Sequence, residues 1–230
     1  MIQWLVQSAT EHSDLSRGVA PLGLLHPVEQ RQLAELKLSK RRREWLIGRW
    51  TAKHLLQASL QRDLNVRLPL NAIGIYTDAR GAPVAMVDCG SRIAKWAISI
   101  SHRHACGFSA ALPDGAIGLG ADIEHVELRE WRFVEDYFTP DEIERVRVAP
   151  IEQRAKLVTA IWSAKEAALK ALRLGLTIDT RRVHCAIDPR RSSIHDWLEF
   201  NITCTPGYTE TLRGGWRAWG EYVLTVAIVA

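Results

Sequence analysis

Cysteine is scarce in this chain of 230 residues: Cys89, Cys106, Cys185 and Cys204 are all there is, and no two stand in a CxxC spacing. That argues against a zinc ribbon or a dithiol redox pair and fits reduced thiols lying in strands. Long apolar runs are missing too. No stretch approaches the roughly 18 residues of a membrane helix, and no charged segment leads into a hydrophobic one at the start. A cytoplasmic protein with no membrane partner is expected. Nucleic-acid signatures of the RNP or zinc-finger kind are absent, and the nine tryptophans are dispersed like core anchors rather than set in a base-stacking row. What the chain does have is a hydrophobic fraction of 47%, enough for a real core, and a net charge of +4. The mild basic excess points to an anionic partner: a phosphorylated ligand, an acidic protein or nucleic acid.

One stretch, Ile161-Trp162-Ser163-Ala164-Lys165-Glu166-Ala167-Ala168-Leu169-Lys170-Ala171-Leu172, reads as a helix carrying chemistry. At about 100° per residue Val158, Ile161, Trp162, Ala168, Leu169 and Leu172 gather on a core-facing side. Thr159, Ser163, Glu166, Lys170 and Arg173 fall on the other, so Glu166 and Lys170 are surface neighbours. Gly175 is the expected stop. A solvated salt bridge is the other meaning of that pair.

Upstream, Ile2 to Val6 is a short edge-strand candidate, and Pro27 with Val28, Leu33, Leu36 and Leu38 suggests a short helix. Ser39 is placed to cap a longer helix from Lys40 to about Leu60. On its wheel Arg42, Arg49 and Lys53 share a face, with Arg41 beside it. That is a solvated basic face or a phosphate-binding one. Asp78 to Pro83 reads as a turn, Trp96, Ile98 and Ile100 as a strand ending at Ser101-His102, and Cys106 to Ala110 as its partner. After the turn signal Pro113-Asp114-Gly115, Ile117, Leu119, Ala121 and Ile123 alternate with Gly118, Gly120, Asp122 and Glu124. Asp122 and Glu124 therefore emerge on one face of a strand, behind glycines that would let a ligand approach the backbone. Two neighbouring carboxylates are tolerated where solvent or a cation separates them, so the pair is either exposed at a strand end or a divalent-metal site.

Thr139 caps a helix with Pro140 at its first position, Pro150 opens the next, and strands at about 181–187, 197–205 and 222–229 close the chain. A repeat is also visible. Trp50-Thr51-Ala52-Lys53 lines up with Trp162-Ser163-Ala164-Lys165, and Pro27/Glu29 with Pro140/Glu142. The halves are either related copies, with a site at their seam, or two amphipathic helices that match by chance.

Gly120-Ala121-Asp122-Ile123-Glu124, followed by Trp162-Ser163-Ala164-Lys165-Glu166-Ala167-Ala168-Leu169-Lys170, resembles the signature of 4'-phosphopantetheinyl transferases of the larger, single-chain type. Ser101-His102 stands where that family has a Ser-His or Thr-His pair, and Lys40 to Arg49 looks like its basic helix. The chain departs from the pattern at Ala82, where relatives often have Lys, and at Arg103-His104, where they have a small residue and Gly. Arg80 could supply the charge missing at Ala82.

The resemblance implies an α+β fold of two similar α+β halves about a pseudo-twofold axis. Residues 1–114 would hold the basic CoA-binding helix and the Ser-His pair, and residues 115–230 the metal and catalytic residues. It further implies transfer of the phosphopantetheine arm of CoA to a serine of an acyl or peptidyl carrier protein of fatty-acid, polyketide or nonribosomal-peptide biosynthesis, releasing adenosine 3',5'-bisphosphate. On these terms Asp122, Glu124 and Glu166 would hold Mg²⁺ or Mn²⁺. Glu166 would be the base, and Lys170 would stabilise the leaving group, with Asp122 completing the catalytic set. Arg41, Arg49, Arg80, Ser101, His102, Lys165 and Lys170 would contact CoA. The expected partners are CoA and the carrier protein, met by a monomer without nucleic acid. A Mg²⁺-dependent nuclease would use the same carboxylates, and a CoA- or carrier-binding module would need neither base nor lysine.

Overall fold

The computed structural model describes residues 2–88, 93–113, 118–188, 196–204 and 211–229. Cys89, the turn residues Asp114 and Gly115, Ile117 and Thr205 lie outside the described residues. The chain divides into two units, Met1–Ala116 and Ile117–Ala230.

The N-terminal unit is one five-stranded antiparallel sheet with a long helix against it. Its strands are β1 (Gln3–Ser8), β2 (Ile73–Thr77), β3 (Pro83–Asp88), β4 (Ile93–Arg103) and β5 (Cys106–Pro113). They run in the order β1-β5-β4-β3-β2. The helices are α1 (Ser13–Arg17), α2 (Pro27–Glu35) and α3 (Ser39–Leu64). Pro27 opens α2 as expected, and His26 and Glu29 close a reciprocal cap on its first turn. Ser39 is already inside α3, and Leu38, with no side-chain cap, precedes it. The orphan carbonyls at the end of α2 are met instead by Arg42, whose Nη1 donates to Leu33 at 2.9 Å and to Leu36 at 3.3 Å. Ala52, Leu55, Leu56 and Leu60 of α3 pack on Ile73, Ile75, Trp96 and Ile98 of the sheet.

The C-terminal unit repeats this plan. Strands β6 (Gly118–His125), β7 (Val183–Cys185), β8 (Leu198–Cys204), β9 (Leu212–Trp219) and β10 (Tyr222–Val229) are ordered β6-β10-β9-β8-β7. Numbered within each half, that is the same order as in the first sheet. Helices α4 (Trp131–Tyr137), α5 (Pro140–Val148) and α6 (Ile151–Ala171) complete it. Thr139 and Glu142 form the reciprocal cap of α5, again with Pro at the first position. The match extends to a buried ion pair in each half, Glu29 with Lys53 and Glu142 with Lys165. Related copies, not two look-alike helices, account for a shared sheet order, a shared cap and a shared buried pair.

Five elements escaped the sequence reading: α1, β2, β3, α4 and β9. In β9 the Gly214-Gly215 pair breaks the apolar alternation, and the reason is steric, because a Cβ at Gly214 would sit 2.3 Å from the Phe200 ring of β8. Helix α6 also ends earlier than Gly175 suggests. It stops at Ala171, and Arg173 takes the left-handed position at φ 58°.

Candidate active site

Helix α6 lies across β6, and the contact is set by glycine. A Cβ built on Gly120 would fall 1.7 Å from the Ala167 carbonyl oxygen, and one on Gly118 would fall 2.1 Å from that of Ala171. The smooth face of β6 therefore admits the α6 backbone, where the sequence suggested a ligand. This close approach brings Asp122, two residues on, under the polar side of the helix.

Asp122 is 2% exposed. Its Oδ1 accepts from Lys170 Nζ at 2.7 Å, and its Oδ2 accepts from Ser163 Oγ at 2.8 Å. Lys170 also donates to the Ala121 carbonyl at 3.1 Å, and the hydroxyls of Ser163 and Thr225 on β10 lie 2.8 Å apart. Thr159 and Ser163 are thus not on a solvated edge. Both are wholly buried, and Glu166, Lys170 and Arg173 of that side stay partly open.

Glu166 ionises unusually late, its pKa pushed up to about 7. Burial is the first cause, the negative charge of Asp122 the second, and Lys170 opposes them. Glu124 is 8% exposed and faces Arg129, whose Nη2 stands 3.4 Å from Glu124 Oε2. Ser163, Thr225 and Arg129 were missed as parts of this network. Ser163 stood in the quoted signature, but nothing local says that its hydroxyl reaches a strand 41 residues away.

Among the described residues no group of three or more His, Cys, Asp or Glu side chains is arranged to hold a metal ion. The expected triad of Asp122, Glu124 and Glu166 is not assembled as a ligand set, because Lys170 occupies Asp122 and Arg129 faces Glu124. The chemistry of the donors still suits a hard cation. The charges of Asp122 and Glu124 add to burial in raising the pKa of Glu166, against Lys170 and Arg129, so the three carboxylates lie within electrostatic reach of one another.

Lys165, expected at CoA, is held inside the C-terminal unit. Its side chain is wholly buried, and its ammonium meets Glu142 at 2.8 Å, the Thr180 carbonyl at 2.9 Å and the Val183 carbonyl. Three donors have three partners, so no proton is left for a phosphate. Lys53 is placed likewise on Glu29 and on the carbonyls of Leu24 and Leu70, which removes it from the basic face of α3.

Arg41, Arg49 and His102 line a cavity of about 310 Å³ in the N-terminal unit whose walls also include Glu44, Trp45, Thr77 and Gly81. The Arg49 guanidinium lies 4.7 Å from the centroid of the Trp45 ring. Ser101 on β4 is 8% exposed, and His102 beside it is exposed. Arg80 is exposed in the turn, where Asp78 Oδ1 accepts from the Arg80 and Ala82 amides, each at 2.9 Å. The cavity wall includes Gly81 and Pro83 of that turn, and not Arg80 or Ala82. His104, which departs from the family's Gly, carries the left-handed φ of 52° between β4 and β5 that explains a glycine there.

Residues 118–227 match the model of the 4'-phosphopantetheinyl transferase superfamily. The matched residues lie within the C-terminal unit, Ile117–Ala230. The match spans the elements from β6 through α6 to β10, with Asp122, Glu124, Glu166 and Lys170 inside it. No curated protein matches the chain. Solved structures that it is similar to include the holo-[acyl-carrier-protein] synthase of Helicobacter pylori in complex with coenzyme A, at 17% identity and a TM-score of 0.39, covering 49% of this chain and 99% of that one. The holo-(acyl-carrier-protein) synthase of Bacillus anthracis str. Ames gives 19% identity and a TM-score of 0.39 over 49% of this chain and 93% of its own. The holo-ACP-synthase of Plasmodium yoelii gives 18% and 0.37 over 49% and 91%. No helix among the described residues is long and apolar enough to cross a membrane.

Proposed function

We propose that the chain is a 4'-phosphopantetheinyl transferase that moves the phosphopantetheine arm of CoA to a serine of an acyl or peptidyl carrier protein in the cytoplasm. The observation that carries this reading is the Asp122, Glu166 and Lys170 arrangement, which lies within the segment that matches the superfamily. In the reaction the serine oxygen bonds to the phosphorus next to the pantetheine, and the bond to adenosine 3',5'-bisphosphate breaks. The serine proton has to leave, and Glu166, a partly open carboxylate beside Asp122 and Lys170, is the base that takes it. Lys170, aligned by Asp122, donates to the oxygen that gains charge as the bisphosphate departs.

Asp122, Glu124 and Glu166 would hold a divalent cation such as Mg²⁺ or Mn²⁺, which when bound supplies positive charge against the pyrophosphate. Arg41, Arg49 and His102 bind the phosphates of CoA from the cavity that they line, with the guanidinium forks suited to paired contacts.

The test uses the wild type and Lys170→Ala, each with CoA, Mg²⁺ and a carrier protein or its Ser→Ala variant, beside a parallel digestion of nucleic acid. Expected are a carrier heavier by one phosphopantetheine and release of the bisphosphate only when the acceptor serine is present. Lys170→Ala should slow turnover by about a hundredfold with only a few-fold change in CoA affinity. Cleavage of nucleic acid with no bisphosphate from several carrier proteins would replace this reading with the nuclease.

A further inference from the structure

The two buried ion pairs are copies of each other, yet they do not do the same work. In the C-terminal unit Glu142 is fully committed to structure. Its Oε2 takes Lys165 Nζ and the Thr139 amide, each at 2.8 Å, and its Oε1 accepts the Cys185 amide at 2.8 Å. In the N-terminal unit Glu29 Oε2 takes Lys53 Nζ and, at 2.9 Å, the His26 amide. Its Oε1 has no hydrogen-bond partner and lies 3.3 Å from Arg49 Nε, a buried ion pair without hydrogen-bond geometry. With Trp50 to Lys53 aligned on Trp162 to Lys165, Arg49 corresponds to Ile161, an apolar core residue with no exposure. The second cation is therefore an addition to the N-terminal copy, and it stands at the cavity wall.

We propose that Glu29 is a positioning residue for Arg49: it holds the guanidinium by its Nε edge so that the terminal nitrogens serve an anionic ligand in the cavity. Three features support this. Glu29 is wholly buried and fixed from behind by Lys53, which is itself tied to the carbonyls of Leu24 at 2.8 Å and Leu70 at 3.2 Å, so the carboxylate cannot swing. The Trp45 ring covers a face of the guanidinium, which fixes the second direction. Among the described residues no hydrogen bond runs from the terminal nitrogens of Arg49 to another side chain or carbonyl, and those are the atoms a phosphate would engage in a forked contact. An arginine with an 11% exposed side chain and its edge against a carboxylate has already given up most of its hydration and rotamer freedom, so less is lost when a phosphate arrives.

The inference rests on the reading of the cavity as the place where CoA phosphate binds. The test is a double-mutant cycle on the full chain with CoA as the probe, read by calorimetry, using Glu29→Gln, Arg49→Ala and the pair together. Glu29→Gln is expected to weaken CoA binding roughly tenfold alone and less than about twofold when Arg49 is already Ala. Glu29→Asp should recover part of the loss. Because Glu29→Gln strands the buried Lys53, Glu29→Gln/Lys53→Met serves where the single variant does not fold. It removes both charges and still leaves Arg49 without its carboxylate, so it should show the same loss. An equal loss in the presence and absence of Arg49, or no loss from Glu29→Gln, overturns the positioning role and leaves CoA binding by Arg49 intact. Unchanged CoA affinity in Arg49→Ala overturns both.

Discussion

Glu142 on the first turn of α5 and Lys165 in the middle of α6 meet at 2.8 Å with both side chains wholly buried. The pair ties α5 to α6, and through the Thr180 and Val183 carbonyls it ties α6 to the start of β7. A charge so placed is costly once its partner is gone.

Lys165→Met should therefore destabilise the protein by about 3–5 kcal/mol, because it leaves Glu142 buried and uncompensated. Denaturant unfolding of wild type, Lys165→Met and Glu142→Gln/Lys165→Met would show it. The double variant, with neither charge, should recover much of the loss. A Lys165→Met protein that unfolds like the wild type but loses CoA would return Lys165 to the ligand site.

Glu166 predicts a pH dependence of stability in the absence of divalent cations. Its folded pKa of about 7 is above the ordinary carboxylate value. Folding is therefore unpenalised below about pH 4.5 and loses stability as pH rises from there towards 7, where the carboxyl ionises in the native state. Glu166→Gln should remove this slope and leave the variant more stable than wild type at pH 8 by about 1–3 kcal/mol. Added Mg²⁺ should narrow the gap by stabilising only the wild type. Parallel stability profiles for the two proteins from pH 5 to 8 would contradict the uncompensated carboxylate.

Gly120→Ala tests the contact that forms the site. Its Cβ would collide with the Ala167 carbonyl, which is backbone and cannot turn aside, so the helix has to lift from the strand. A cost of about 3 kcal/mol or more is expected, with transfer activity reduced as Asp122 and Lys170 separate. Gly215→Ala is the control. A Cβ there would lie 3.4 Å from Trp197 Cε3, so the cost should stay under about 1 kcal/mol. Thermal unfolding and turnover measured on both variants decide it.

The sequence alone determined what is local. Pro27 and Pro140 open helices because their ring fixes φ and their missing amide is not needed there, and Thr139 with Glu142 closes a cap through bonds three residues apart. The alternation before Asp122 and Glu124 placed both carboxylates on one strand face, and the 3.6-residue period put Glu166 and Lys170 side by side. The paired Pro, Glu, Trp and Lys signals offered the two-copy plan as one of two readings, and the shared sheet order chose it.

Tertiary structure decided what lay opposite each of these faces. A wheel gives a direction and not a neighbour, so Lys53 read as part of a basic face, and the resemblance made Lys165 a CoA contact, until α2 and α5 brought a buried carboxylate to each. Periodicity showed Gly118 and Gly120 leaving space and could not say that the α6 backbone fills it. Strand β9 went unread, and its Gly214 answers to the Phe200 ring on the neighbouring strand and not to its own period. In each case the deciding partner is distant in sequence. Desolvation and close packing act through distance in space, and a pattern read along the chain does not contain it.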